Sequence, residues 1–138
     1  MNILVAIEES THSDKALAYA VETAKTTGSR LTALSIGEVI DDLDGMHQVS
    51  EINDVFMAKA RATADKATKF AKAQGIDIDV IVRPGPSPAD CILDYERQNN
   101  IDMVILGARA KKRLEKYLIG SVAYRVVRHA DCSVVVVR

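Results

Sequence analysis

Cysteine is scarce in this chain. Cys91 and Cys132 are the only two among 138 residues, and they form neither a CxxC pair nor a metal-ligand spacing. A disulfide framework and a thiolate zinc centre are therefore excluded, and both residues read as small buried hydrophobes of a reducing compartment. Long apolar runs are missing too, since stretches such as Val134 to Val137 fall far short of a bilayer span. The opening MNILVAIEES enters a strand-like run without a basic n-region or a cleavage site. The expectation is a cytoplasmic protein with no membrane partner. Charge of one sign is absent as well: 18 basic residues face 19 acidic ones, for a net charge of -1, which leaves no electrostatic footprint for nucleic acid. His12, His47 and His129 share no ligand or triad spacing. No Gly-x-Ser-x-Gly elbow, complete P-loop or Rossmann glycine fingerprint occurs, so a catalytic nucleophile or a kinase-like engine has no visible seat.

What is present is an ordinary globular composition, 48% apolar and 27% charged, in a length that suits a single domain over residues 1–138. Five β-rich runs alternate with helical stretches: Ile3–Ile7, Leu31–Ile36, Ile78–Val82, Met103–Leu106 and Ser133–Val137. Each is nearly continuous in apolar residues, the pattern of strands buried on both faces. That order predicts a doubly wound α/β fold, with a five-stranded parallel sheet covered by helices on both sides.

Helix signals fall between the strands. Thr11-His12-Ser13-Asp14 reads as a capping box, Leu17, Ala20, Val21 and Ala24 share a face, and Gly28 ends the first helix. From about Glu51 to Gln74, the residues Ile52, Val55, Phe56, Ala60, Thr63, Ala67, Phe70 and Ala71 recur every three or four positions, with Gly75 as the stop. Ser87-Pro88-Ala89-Asp90 opens a third helix with a cap, a proline and an acid. Ser121 is the expected cap of a fourth helix running to about His129. Residues 37–50 have no period and carry four acids, so they read as a loop; the short match of Asp42-Leu43-Asp44-Gly45 to a calcium loop lacks the remaining ligands.

Ligands of open α/β sheets sit beyond the carboxyl ends of the strands, so the strand-to-helix turns matter most. Glu8-Glu9-Ser10 follows the first strand. After the fourth comes the run from Gly107 to Ser121, which ends in Gly-Ser at a helix start, where free N–H groups favour an anion. Within that run Arg109, Lys111, Lys112, Arg113 and Lys116 stand against one acid, Glu115, a field that attracts a polyphosphate. A phospho-receiver domain also has an acidic turn after its first strand. It would need an Asp at the end of the third strand, where this chain has Val82-Arg83-Pro84, and a Lys beyond the fifth.

The spacing Gly107, Ala110, Gly120, Ser121 resembles the carboxyl-terminal pattern of the universal stress proteins: Gly, two residues, Gly, nine residues, Gly, then Ser or Thr. Ala110 stands at the middle glycine. The likeness extends to the MNILVAIEES opening, to GPSPADCILDYERQNNIDMVILG and to the ending GSVAYRVVRHADCSVVVVR. The resemblance implies an adenine nucleotide alpha hydrolase-like fold with strand order 3-2-1-4-5. It also implies a stress-response protein that binds ATP, AMP or cyclic AMP, with magnesium where the ligand is ATP, and at most slow hydrolysis. On this resemblance Ala6 and Glu8 lie beside adenine and ribose, Glu8 standing where Asp is usual, and Ser35 or Ile36 flanks the adenine. Leu106, Gly107, Arg109, Ala110, Gly120, Ser121 and Val122 would surround ribose and phosphates. It further implies a homodimer through Ser133–Val137, a bare apolar edge open to pairing. The alternative is a dimeric interaction module acting through protein partners, in which the Ala110 methyl closes the phosphate site.

Overall fold

The computed structural model describes residues 1–40, 47–108 and 119–138. The strands β1 (Asn2–Ile7), β2 (Arg30–Glu38), β3 (Asp79–Gly85), β4 (Met103–Gly107) and β5 (Ser133–Val137) alternate with helices α1 (Thr11–Thr27), α2 (His47–Ala73), α3 (Pro88–Gln98) and α4 (Ser121–His129). All pairings are parallel, in the order β3-β2-β1-β4-β5. The chain thus winds outward from β1 to one edge, returns to pair β4 against β1, and finishes on the other edge. The two carboxyl ends that diverge at this reversal are those of β1 and β4.

Alternation along the strands sorts the core into two layers. Ile3, Val5, Ile7, Leu31, Ala33 and Ile105 pack with α1 and α2, whereas Leu4, Leu34, Val104 and Leu106 pack with α3 and α4. The central strands are buried on both faces, as their apolar runs predicted. The edge strands β3 and β5 are half-exposed instead, because an edge has only one neighbour to cover it. Pro84 sits near the end of β3, an edge position where its missing N–H breaks no ladder.

Several helix boundaries differ from the sequence reading. The α1 cap is Ser10 rather than Thr11: Ser10 is extended, and its side chain accepts from the Ser13 N–H at 3.1 Å. The α4 cap is Gly120, leaving Ser121 as the first helical residue. Helix α2 starts at His47, so residues 47–50, read as loop, are helical, and β2 extends through Gly37 and Glu38. The acidic stretch Asp41 to Gly45 lies outside the described residues. Helix α2 meets the sheet through Ala60, Ala64, Ala67 and Ala71, while Ile52 and Val55, expected on its apolar face, are 43% and 54% exposed. A seam of alanines lets the helix axis approach the sheet closely; near its start it extends beyond the core and leaves larger apolar side chains uncovered. Gly28 in the left-handed region and the Ser87 cap of α3 match expectation.

Neither cysteine is fully buried; both are free and half-exposed. Even so, partial burial raises both thiol pKa values, with neighbouring carboxylates adding to it, and Cys132 beside Glu96 is pushed up to about 11. Among the described residues, no helix is long and apolar enough to cross a membrane.

Candidate functional site

The apolar face beside the β1/β4 reversal is built from the strand alternation. Ala6 near the end of β1, Ile36 of β2 and Leu106 near the end of β4 lie on the α3/α4 side. Ile119 and Val122 pack against the same layer from the start of α4. Ala6, Ile36, Leu106 and Val122, each named from the sequence, are thereby brought onto one face. Ile119 joins them without having been anticipated, because no motif position pointed to it.

Of Ser35 and Ile36, only Ile36 reaches this face. Ser35 is 1% exposed and points to the other layer, where its hydroxyl donates to the Ala60 carbonyl at 2.7 Å. Period-two alternation forces this choice, since adjacent strand residues face opposite sides. The Ser35 hydroxyl ties β2 to α2 and does not line the crevice.

Glu8 follows β1 in a turn closed by its own hydrogen bonds. Its backbone N–H donates to the Ser13 hydroxyl at 2.8 Å, and its Oε1 accepts from the Ser10 hydroxyl at 3.0 Å. Ser10 therefore caps α1, and Ser10 and Ser13 together hold Glu8. Ser13 was missed as a positioning residue; the signal available was a second serine three residues after Ser10. Glu8 also lines a cleft of about 260 Å³ that runs toward α1 and α2 past Leu17, Ala67 and Phe70. Of the residues expected to bind a ligand, this cleft contains Glu8 alone.

Gly107 ends β4 against the first turn of α1. A Cβ there would lie 2.7 Å from the His12 carbonyl carbon and 2.8 Å from its oxygen, so helix packing by itself demands the glycine. Ala108 then hands its N–H to the Val137 carbonyl at 2.8 Å. Arg109 and Ala110 lie outside the described residues, as do the cations at 111–116. Chain description resumes at Ile119, and Gly120 caps α4 with no side-chain hydrogen bond. Among the described residues, no side chain caps the first N–H groups of α4, an arrangement that suits an anion. Arg125 braces α4 against the start of α3, 3.0 Å from the Asp90 carboxylate.

Comparison with known proteins agrees with this architecture. The universal stress protein family model matches residues 1–138. Universal stress protein YxiE of Bacillus subtilis is 28% identical, covering 99% of this chain and 97% of its own length. Among solved structures, universal stress protein UspA from Lactobacillus plantarum is 28% identical with a TM-score of 0.88, covering 100% of this chain and 97% of that one. The universal stress protein of Archaeoglobus fulgidus in complex with dAMP shares the fold at 20% identity and a TM-score of 0.77, over 100% and 98% of the two chains. A universal stress protein in complex with cAMP does so at 21% identity and a TM-score of 0.77, over 100% and 97%. The chain belongs to the universal stress protein family.

Proposed function

We infer that this protein binds an adenine nucleotide at the carboxyl ends of β1 and β4 and acts as a regulatory protein of the stress response. The observation that carries the reading is the convergence of Ala6, Ile36, Leu106 and Val122 on one face, next to a helix N-terminus capped only by Gly120. An apolar wall accepts a purine ring, and the adjoining N–H groups accept phosphate. In this arrangement Ala6 and Ile36 contact the base, Glu8 contacts the ribose, and Leu106, Gly107, Gly120, Ser121 and Val122 surround ribose and phosphates, with Arg109 and Ala110, outside the described residues, as further ligand contacts. The complexes of two family structures with dAMP and cAMP support the ligand class. Binding is the function; any hydrolysis of ATP with magnesium is slow and incidental.

Calorimetric titration with ATP and magnesium, then AMP and cyclic AMP, tests this. Saturable micromolar binding is expected, and Gly120→Val should abolish it while leaving the circular dichroism spectrum unchanged. Unchanged affinity in that variant overturns the assignment.

A second feature supports homodimerisation. Strand β5 is an edge with half-exposed side chains, and Tyr124 and Val127 of α4 are exposed large hydrophobics. Pairing of Ser133–Val137 with its counterpart in a second copy would cover this edge. Light scattering at micromolar concentration should give twice the chain mass, and a monomer removes the reading.

A further inference from the structure

We propose that the solvent-facing ridge of α2 is a docking surface for an anionic lipid bilayer, which the protein touches from one side and does not span. The proposal does not rest on nucleotide binding, because α2 packs on β2 and β3, at the opposite edge of the sheet from β5.

The ridge follows from helix periodicity. Ala60, Ala64, Ala67 and Ala71, spaced by four, three and four residues, turn one side of α2 to the sheet. The opposite side carries Ile52, Val55, Lys59, Ala62, Lys66 and Lys69 at the same spacing, and all six are exposed. The row is about 25 Å long at 1.5 Å per residue. It holds two large apolar side chains, 43% and 54% exposed, and three lysines without an acid. Arg61 and Lys72 add cations on its flank, and Asp65 is the one acid between Lys59 and Lys72. None of these five cations is ion-paired among the described residues, where the pairs run instead through Arg30, Arg97 and Arg125. Lys66 shares the cleft between α1 and α2 with Glu8, Glu9 and Asp14, which offset part of its charge.

The near-neutral total of the chain conceals this segregation. The expectation of no membrane partner drew on net charge and on the lack of a spanning segment, and neither registers cations gathered on one helix face. The make-up of the row selects the partner. Unpaired cations call for fixed negative charge, which a bilayer of acidic lipids supplies. A nucleic acid would supply it too, yet offers nothing to Ile52 and Val55. The boundary between headgroups and acyl chains accepts such side chains while lysine stems reach back to the headgroups. Ala62, between Lys59 and Lys66 on the crest, lets the helix approach a flat surface closely.

The test is co-sedimentation of the full-length protein with vesicles of phosphatidylcholine alone and of equal parts phosphatidylcholine and phosphatidylglycerol. Binding is expected to the mixed vesicles only, and it should disappear at about 1 M salt, where the screening length is about 3 Å. Lys59→Gln and Lys69→Gln should each weaken it about fivefold, Lys66→Gln by less, and Lys69→Arg should retain it. Val55→Ser should weaken it as well, which a purely electrostatic contact would not show. Glutamine matches lysine in helix preference, so the melting temperature of the lysine variants should stay unchanged. Equal binding to both vesicle types, binding to neither, or undiminished binding in the Lys59→Gln/Lys69→Gln double variant or in Val55→Ser overturns the proposal. Tighter binding to a DNA duplex at the same phosphate concentration also overturns it, and makes the ridge a nucleic-acid contact.

Discussion

Gly107→Ala separates two reasons for a glycine at the end of β4. If the residue is small so that a ligand can approach, the apo protein should tolerate a methyl group. If it is small because α1 passes over it, the apo protein should suffer. The new carbon would stand 2.7 Å from the His12 carbonyl carbon and 2.9 Å from its Cβ, whereas carbon pairs prefer about 3.5–4.0 Å. The obstructing atoms are mainly backbone, and the first turn they belong to is fixed by the Ser10 cap and by the Ser13 link to Glu8. Relief thus requires moving the helix by about 1 Å, at a cost of about 1–3 kcal/mol. For a chain of this size the melting temperature should fall by roughly 5–10 °C. Gly28→Ala is the control: its φ of +65 strains any side chain, but nothing lies within 4 Å of the added carbon, so only the backbone cost of about 1 kcal/mol applies. Thermal and urea unfolding of the ligand-free variants decides the matter. A Gly107→Ala protein within about 0.5 kcal/mol of the parent refutes the packing argument and returns the glycine to the ligand.

Other outcomes follow from single contacts. Ser13→Ala leaves the Glu8 N–H without its 2.8 Å acceptor and should cost about 1–3 kcal/mol in urea unfolding, while also weakening nucleotide affinity. Ser35→Ala removes the bond to the Ala60 carbonyl, costing about 0.5–1.5 kcal/mol with affinity unchanged; an affinity loss would put Ser35 back in the crevice. Cys132, with its pKa near 11, should resist iodoacetamide at neutral pH and react as pH climbs past 10, measured by mass spectrometry. Because its folded pKa lies above the ordinary value of 9.0, the folded state holds this proton more tightly. The associated stability is therefore complete below pH 9 and lost as pH rises toward 11, and Cys132→Ala should flatten that part of the stability profile. Arg125→Ala breaks an exposed pair with Asp90 and should change stability by less than about 1 kcal/mol.

Much of this fold was legible because its signals are local. Ser87-Pro88 names its own helix start, Gly28 its own helix end, and the apolar runs of β1, β2 and β4 their own burial. Failures cluster where a neighbour decides. Thr11 and Ser10 are equivalent cap residues on paper, and the extended backbone with the bond from the Ser13 N–H falls at Ser10. The role of Gly107 depends on His12, ninety-five positions earlier. Ser35 and Ile36 could not be separated until strand alternation was anchored to α2 on one side and α4 on the other.

The pairing of β4 against β1 also sets an order of events. The Asn2 N–H meets the Asp102 carboxylate at 2.7 Å across a hundred residues, whereas β1, β2 and β3 join through nearer neighbours in sequence. During synthesis these three strands can associate while β1 still presents an open edge. That edge closes only when residues 103–107 have left the ribosome, a late step because distant pairings wait on chain length and loop closure. A nascent chain that still lacks β4 would hold three of the five strands, with β1 unpaired on one side. The junction of β1 with β4 therefore forms only after the three-stranded half is already in place.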